Sequence, residues 1–299
     1  MNIRVLQTFI RVVELKSFTR AACELNYVQS TVTMQIQQLE KELGFPLFDR
    51  IGKKISLTAY GENFYAYANN ILQTIMQVNN LGKKPEEMSG SLRIGILESL
   101  LSAATLHIFP RFQERYKNIE IQLKIGQLSD LRTLLKQGQL DMIYISGELN
   151  TDPDLHCGYK RKENLVFVTA PDHELAKKTG VTLEELLTYP FVVTELSGTC
   201  YGKLSRLAFS HGLMLKHTLI VDSTAAIGEL IGTGIGAAFL PEYSVMEMLQ
   251  QNRLAKVNAD VPPQTYYSQV LYCRDKWLPP FMEEWITLIR EFRPERLEV

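Results

Sequence analysis

Apolar residues recur at helical spacing over the first eighty positions, and beyond about residue 90 the pattern changes to short apolar runs alternating with amphipathic segments. Val5, Leu6, Phe9, Ile10 and Val13 form one stripe, which predicts a helix from Ile3 to Glu14 that covers the two helices after it. Phe18, Ala21, Ala22 and Leu25 predict the first of these, a short helix with small residues for close approach, and Asn26-Tyr27 supplies a turn. Val32, Ile36, Leu39 and Leu43 mark the inward face of a third helix that Gly44 is placed to end. Its opposite face carries Gln29, Ser30, Thr33, Met34 and Gln37, in place of the Glu/Lys mixture of a solvated helix. Amides can bond a donor and an acceptor on adenine together, and hydroxyls and apolar atoms can meet phosphates and thymine methyls, so this face suits double-stranded DNA. The second and third helices form a helix-turn-helix. From Phe45 to Leu57 the chain predicts two short strands about a Gly-Lys turn, a wing whose Arg50, Lys53 and Lys54 could neutralise phosphates or enter a minor groove, with a solvated hairpin tip as the alternative.

Thr58 is placed to cap a long helix running to about Asn80, with Phe64, Ala68, Ile71, Ile75 and Val78 alternating by four and three. That seam predicts helix-to-helix dimerisation, with an intramolecular core contact as the alternative. Lys83 to Gly90 is charged, holds a helix-stopping Pro85 and marks a domain boundary. Beyond it, strands at Leu92–Leu97, Ile119–Ile125 and Met142–Ile145 alternate with helices at Leu100–Tyr116 and Ser129–Gln137, which predicts a parallel α/β sheet. A second unit starts with a strand at Leu165–Thr169 and continues through helices at Leu183–Leu187, Tyr201–Ser210 and Ala225–Ile231. Strands at Phe191–Val193, Thr218–Val221 and Ala237–Leu240 intervene, before a strand at Gln269–Cys273 and a closing helix from Pro280 to Phe292. The expected organisation is a DNA-binding domain over residues 1–58, a dimerisation helix and hinge over 59–90, and an effector-binding domain over 91–299. The last divides into one lobe at about 91–161 with 268–299 and another at about 162–267. Ligands of open α/β sheets sit beyond the carboxyl ends of the strands, here in the cleft between the lobes.

Composition narrows the picture. The net charge of the 299 residues is −1, but residues 1–60 hold eight Lys/Arg against five acids, so a head of +3 sits on a body of −4. Four separated cysteines form no C-x-x-C pair, which argues for reduced thiols without a zinc site or disulfide framework. No apolar run reaches the roughly 18 residues of a membrane span, and the first residues are unlike a signal peptide, so the expected location is the cytoplasm, away from membranes.

Candidate chemistry gathers after the predicted strands, at Glu98-Ser99, Gln127-Leu128-Ser129, Ser146-Gly147, Thr194 to Thr199 and Asp222-Ser223-Thr224. Singly, each hydroxyl or glycine before a helix is explained as an N-cap. Converging on one cleft, helix N-termini and hydroxyls make an anion site, which predicts a small anionic effector held by Ser99, Gln127, Ser129, Ser146, Gly198, Thr199, Cys200 and Asp222. Gly232-Thr233-Gly234-Ile235-Gly236-Ala237 fits a dinucleotide fingerprint as text, but a helix precedes it and a strand comes after, the reverse of what a pyrophosphate site needs. His173-Glu174 has Lys177 where a zinc-protease motif needs its second His, and no G-x-S-x-G occurs. No cofactor, metal or catalytic machinery is expected; a periplasmic-type ligand carrier and an α/β enzyme are the rival readings.

The order of Phe18-Thr19-Arg20-Ala21-Ala22, Leu25, Gln29-Ser30, Val32-Thr33, Gln35-Ile36, Leu39-Glu40, Leu43-Gly44, Leu47-Phe48, Arg50 and Leu57-Thr58-Ala59-Tyr60-Gly61 resembles the LysR-type transcriptional regulators. Val28 stands where that family commonly has Ser, and Met34 and Gln37 stand where a basic residue is frequent, which leaves the operator sequence open. The resemblance implies an α/β protein with an N-terminal all-α winged helix-turn-helix domain and a two-lobed, periplasmic-binding-protein-like effector domain. Its hinge strands would lie near Gly158–Arg161 and Tyr266–Leu271. It further implies a homodimer assembling into a homotetramer, with room for contact with RNA polymerase. Redox-sensing members use a Cys in a loop like that of Cys200, with a second Cys soon after; here the helix through Ser210 contains none. A helix start there would favour thiolate through the dipole, but the reading favoured for Cys200 is a small residue lining the cleft.

Overall fold

The computed structural model describes residues 2–51, 54–101, 106–196, 198–215 and 219–292. Helix α1 (Ile3–Leu15) begins where the Asn2 side chain accepts the Val5 N–H, and α2 (Phe18–Glu24) begins where Ser17 accepts that of Arg20. Gly44, at φ 81°, ends α3 (Gln29–Leu43) in the left-handed conformation that glycine adopts without a Cβ penalty. Phe9, Val12, Ala21, Val32, Ile36, Leu39 and Leu47 interlock as the core of this head. Strands β1 (Phe48–Ile51) and β2 (Lys54–Leu57) pair antiparallel with Arg50 opposite Ile55. Glu40 holds the wing to α3, one carboxylate oxygen accepting from the backbone N–H of Leu47 (2.7 Å) and Phe48 (3.2 Å).

Helix α4 (Ala59–Asn80) starts at Thr58, whose hydroxyl accepts the Gly61 N–H. The expected seam divides in two. Phe64 and Ala68 are buried in the core of their own head, whereas Val78 is 60% exposed. What α4 leaves open is a stripe that keeps Ile71 and Val78 of that seam and adds Tyr60, Tyr67 and, at the C-cap, Leu81.

Strand β3 (Ser89–Ile96) is parallel to β4 (Asn118–Ile125) and to β5 (Met142–Gly147), as the alternation predicts. The sheet is nevertheless mixed, in the order β4-β3-β5-β12-β6, because β12 (Tyr266–Cys273) runs antiparallel to β5 and to β6 (Leu155–Glu163). A chain that leaves the first lobe along β6 and returns along β12 must lay the second crossing against the first. Helices α6 (Leu106–Arg115) and α12 (Pro280–Glu291) pack together in this lobe, while α7 (Leu128–Lys136) lies against β5. The helix expected from Leu100 to Tyr116 is represented by a short α5 (Glu98–Leu100) and by α6, with 102–105 outside the described residues.

In the second lobe β7 (Leu165–Thr169) pairs antiparallel with β10 (Ala237–Pro241) and β11 (Ala255–Lys256). The parallel pair β8 (Val192–Val193) and β9 (Leu219–Ile220) joins this sheet through a bridge from Phe191 to Ala237. Short α8 (Leu183–Leu186), α9 (Thr199–Ser210), α10 (Thr224–Gly232) and α11 (Glu242–Gln250) complete it. The glycines after α10 form a turn into β10, and Gly236, at φ 145°, approaches so closely that a Cβ there would lie 2.1 Å from the Pro190 carbonyl oxygen.

Candidate functional site: a DNA-reading helix and an interlobe cleft

Because Val32, Ile36 and Leu39 face the core, the helical period turns Gln29, Ser30, Met34 and Gln37 outward, with Thr33 half-buried beside them. Met34 is 64% exposed. Gln29 is oriented by the Thr19 hydroxyl, which donates to its Oε1 at 3.1 Å. Gln35 turns inward and accepts from the buried Thr8 hydroxyl at 2.7 Å, linking α1 to α3. Of the wing cations, Arg50 and Lys54 lie on the paired strands, their side chains outside the described ones, and Lys53 lies outside the described residues altogether.

The second site is a cavity of about 360 Å³ between the two lobes. From the first lobe it is lined after β3 by Glu98 and Ser99, after β4 by Gly126 and Gln127, and at the end of β5 by Ser146. From the second it is lined after β8 by Thr194 and Glu195, at the start of α9 by Gly198, Thr199 and Cys200, before α10 by Asp222 and at its start by Thr224. Carboxyl ends of strands from both sheets thus meet here. Seven of the eight residues expected to gather do so; Ser129 does not, because the first turn of α7 carries it outward, where its hydroxyl donates to Asp130. Two polar contacts tie the lobes. Glu98 reaches across to accept from the Ser223 hydroxyl (3.0 Å) and from the Thr224 N–H (3.0 Å), and the buried Lys203 ammonium donates to Glu148 at 2.5 Å. Gly147, at φ 152°, lets Thr199 approach. At the cavity a line of four hydroxyls and a thiol joins Ser99, Tyr243, Ser146, Tyr266 and Cys200.

A helix-turn-helix with a wing, joined by one long helix to a two-lobed α/β domain, matches two known families in order. The bacterial regulatory helix-turn-helix family of LysR type covers residues 3–62, and the LysR substrate binding domain covers residues 85–293. This chain belongs to the LysR-type transcriptional regulators. It is 30% identical over 294 residues to the HTH-type transcriptional regulator YwqM of Bacillus subtilis, covering 97% of this chain and 99% of that one. Against the RuBisCO operon transcriptional regulator of Allochromatium vinosum it is 27% identical, covering 94% and 92%. A full-length OxyR variant from Pseudomonas aeruginosa superposes with a TM-score of 0.79 over 98% of this chain and 96% of that one at 19% identity, a likeness of fold. Full-length BenM gives 0.54 at 25% identity, over 97% and 96%. The LysR-type chain is therefore a DNA-binding transcriptional regulator with an effector-binding domain.

One expectation about this regulator's cleft changes with the geometry. The described lining contains the carboxylates Glu98, Glu195 and Asp222 and no Lys, Arg or His, and the N-terminus of α10 already holds the Glu98 carboxylate. An anionic effector would face three like charges there, so the lining does not support it. Cys200 does start α9, but it is buried with its thiol donating to the Tyr266 oxygen at 3.6 Å. Burial pushes that thiol up to about 11, outweighing the hydrogen bond to Tyr266 and the charge of Lys203. Desolvation outweighs the dipole's pull toward thiolate, which fits Cys200 as a small residue lining the cleft. At pH 8 Cys200 therefore stays in its thiol form. Iodoacetamide at that pH should label the exposed Cys23 and leave Cys200 intact, as peptide mass spectrometry would show; equal labelling would contradict the buried-thiol assignment.

Sequence reasoning missed the joint between α4 and the effector domain of this LysR-type chain. The buried Asp141 carboxylate accepts from Lys276 (2.7 Å), from Gln73 of α4 (2.7 Å) and from the backbone and guanidinium of Arg93. Arg93 donates in turn to Asn69 of α4 (3.0 Å) and to the Gly138 carbonyl (3.0 Å). Nearby, Asn80 of α4 pairs with both backbone groups of Ser89. The available signal is three amides on a helix with one charged residue, Glu62. By periodicity they belong to its solvent side, yet they dock it.

Proposed function

We propose that this regulator reads its operator with Gln29, Ser30, Thr33, Met34 and Gln37 in the major groove, and that Arg50, Lys53 and Lys54 meet the phosphate backbone. The supporting observation is an uncharged, donor- and acceptor-bearing face exposed on a helix whose opposite face is locked into the core. In this reading residues 1–58 are the head, 59–90 the dimerising helix and hinge, and 91–299 the effector domain. Two copies pair through α4, and dimers assemble into a tetramer able to meet RNA polymerase. The effector enters the interlobe cleft and binds without being turned over, and its preference for one lobe arrangement is passed to α4 through the Asp141 joint. Such a protein works in the cytoplasm; no helix among the described residues is long and apolar enough to cross a membrane.

Selection from random duplexes supplies the operator for the test. Thr33→Ala with Gln37→Ala should cost about 1–3 kcal/mol per lost base contact and relax preference at the positions read. Lys53→Ala should instead weaken all sequences alike and flatten the salt dependence. Unchanged affinity and selectivity in the double variant would remove α3 from the reading role.

A further inference from the structure

The hydroxyl line at the cleft has one proton more than it has bonds. Tyr243 donates to Ser146 (3.0 Å), so Ser99, 3.3 Å from Tyr243, must donate to it; Cys200 donates to Tyr266. One bond, between Ser146 and Tyr266 at 3.0 Å, takes a proton from only one of the two. The other partner keeps an uncommitted O–H donor. Both residues line the cleft, and they are only 2% and 4% exposed. A buried donor with no acceptor costs free energy that an incoming acceptor restores.

The same cleft contains the complementary defect. Glu195 lines it and has one side-chain oxygen, Oε2, that is shielded from solvent and has no hydrogen-bond partner among the described residues. Asp222 and Glu98 add two more carboxylates, and no described lining residue supplies a positive charge. A buried carboxylate oxygen is satisfied by a charged donor. The cavity, about 360 Å³, is at the small end of ligand pockets.

We propose that the effector of this cleft is a small protonated amine or guanidine that also carries an oxygen acceptor. Its cationic N–H groups meet Glu195, and its acceptor takes the uncommitted proton of the Ser146–Tyr266 pair. The assignment rests on the cleft being the effector site, as proposed above. It sets a direction opposite to an acid: a carboxylate ligand would meet Glu98 already seated at the α10 N-terminus, whereas an ammonium converts the surplus of carboxylates into attraction.

A thermal-shift panel matched on one skeleton tests it, with 4-aminobutanamide and 4-guanidinobutanamide against N-acetylated 4-aminobutanamide and glutaramate, followed by calorimetry. Two variants sort the outcome. Gln127→Trp fills the cleft from an exposed position that makes no side-chain cap bond, and Glu195→Gln removes one charge at constant shape. Stabilisation by the cationic probes alone, abolished by Gln127→Trp and weakened about tenfold or more by Glu195→Gln, is the expected result. Absence of stabilisation by either cation overturns the inference, as does binding indifferent to Glu195→Gln. Glutaramate binding that Gln127→Trp abolishes overturns the inference and leaves the cleft as the effector site. Binding of any probe that survives Gln127→Trp overturns the cleft reading itself.

Discussion

Asp141→Asn should lose about 3–5 kcal/mol of folding stability in urea unfolding, the largest single-residue effect expected in this protein. The magnitude comes from what is left behind. Arg93 and Lys276, 12% and 16% exposed at the side chain, converge on a carboxylate that is 1% exposed, and removing its charge strands two shielded cations. Gln73→Ala cuts only the bond from α4 to this hub and should change stability by about 1 kcal/mol. It should nonetheless alter the effector's influence on the DNA footprint, since α4 is then held by fewer ties. The pH dependence has a definite sign. Burial pushes the Asp141 carboxyl up, but the charges of Lys276 and Arg93 and their hydrogen bonds outweigh it and hold the group below the usual carboxylate range. A depressed value means that its contribution is fully present above the unfolded pKa of about 3.9 and is lost only as pH falls through the lower folded value. The gap between wild type and Asp141→Asn should therefore be constant from neutrality to about pH 5 and close in stronger acid. A variant within about 1 kcal/mol of wild type at pH 7 would show that the hub is structurally dispensable.

Ile71→Glu combined with Val78→Glu should give monomers in sedimentation velocity if, as proposed above, copies pair through α4. Tyr60, Tyr67, Ile71, Val78 and Leu81 stay exposed on α4, at intervals of seven, four, seven and three that keep to a heptad seam. Glu62 is the one charged residue on this helix, so the stripe has little ionic competition from its own flanks. Paired across a two-fold axis, two copies would bring four introduced carboxylates into an apolar seam, and desolvating them unpaired is prohibitive. The substitutions belong at exposed positions because Phe64 and Ala68, though on the predicted stripe, pack inside the head; charges there would unfold the head instead of separating subunits. Far-ultraviolet circular dichroism of the double variant should thus remain native. A folded variant that keeps the parental mass would move the interface away from α4.

Much of the secondary structure was legible because it depends on neighbours three or four residues apart. Thr58 and Ser223 cap helices through N–H groups three positions on, Gly44 ends α3 in a conformation glycine adopts easily, and the alternation from Leu92 onward places most strands. The convergence of Ser99, Ser146 and Thr199 on one cleft was also legible, since open α/β sheets bring strand ends together. Strand β6 reads only as a hinge because Lys160, Arg161 and Lys162 obscure its alternation, and α11 comes after β10 without a loop to announce it. Charge and partner choice required the tertiary structure. Asp141 meets Arg93, Gln73 and Lys276 across 48, 68 and 135 residues of chain, distances over which no local pattern carries information. Burial likewise decided against a thiolate at Cys200, because a helix dipole is weaker than the loss of water around an ion. From sequence alone came a winged helix-turn-helix head, a long helix and a two-lobed domain. Which face of the long helix is free, which amides dock it and which charge the cleft presents were decided by packing, because each depends on what lies opposite in space.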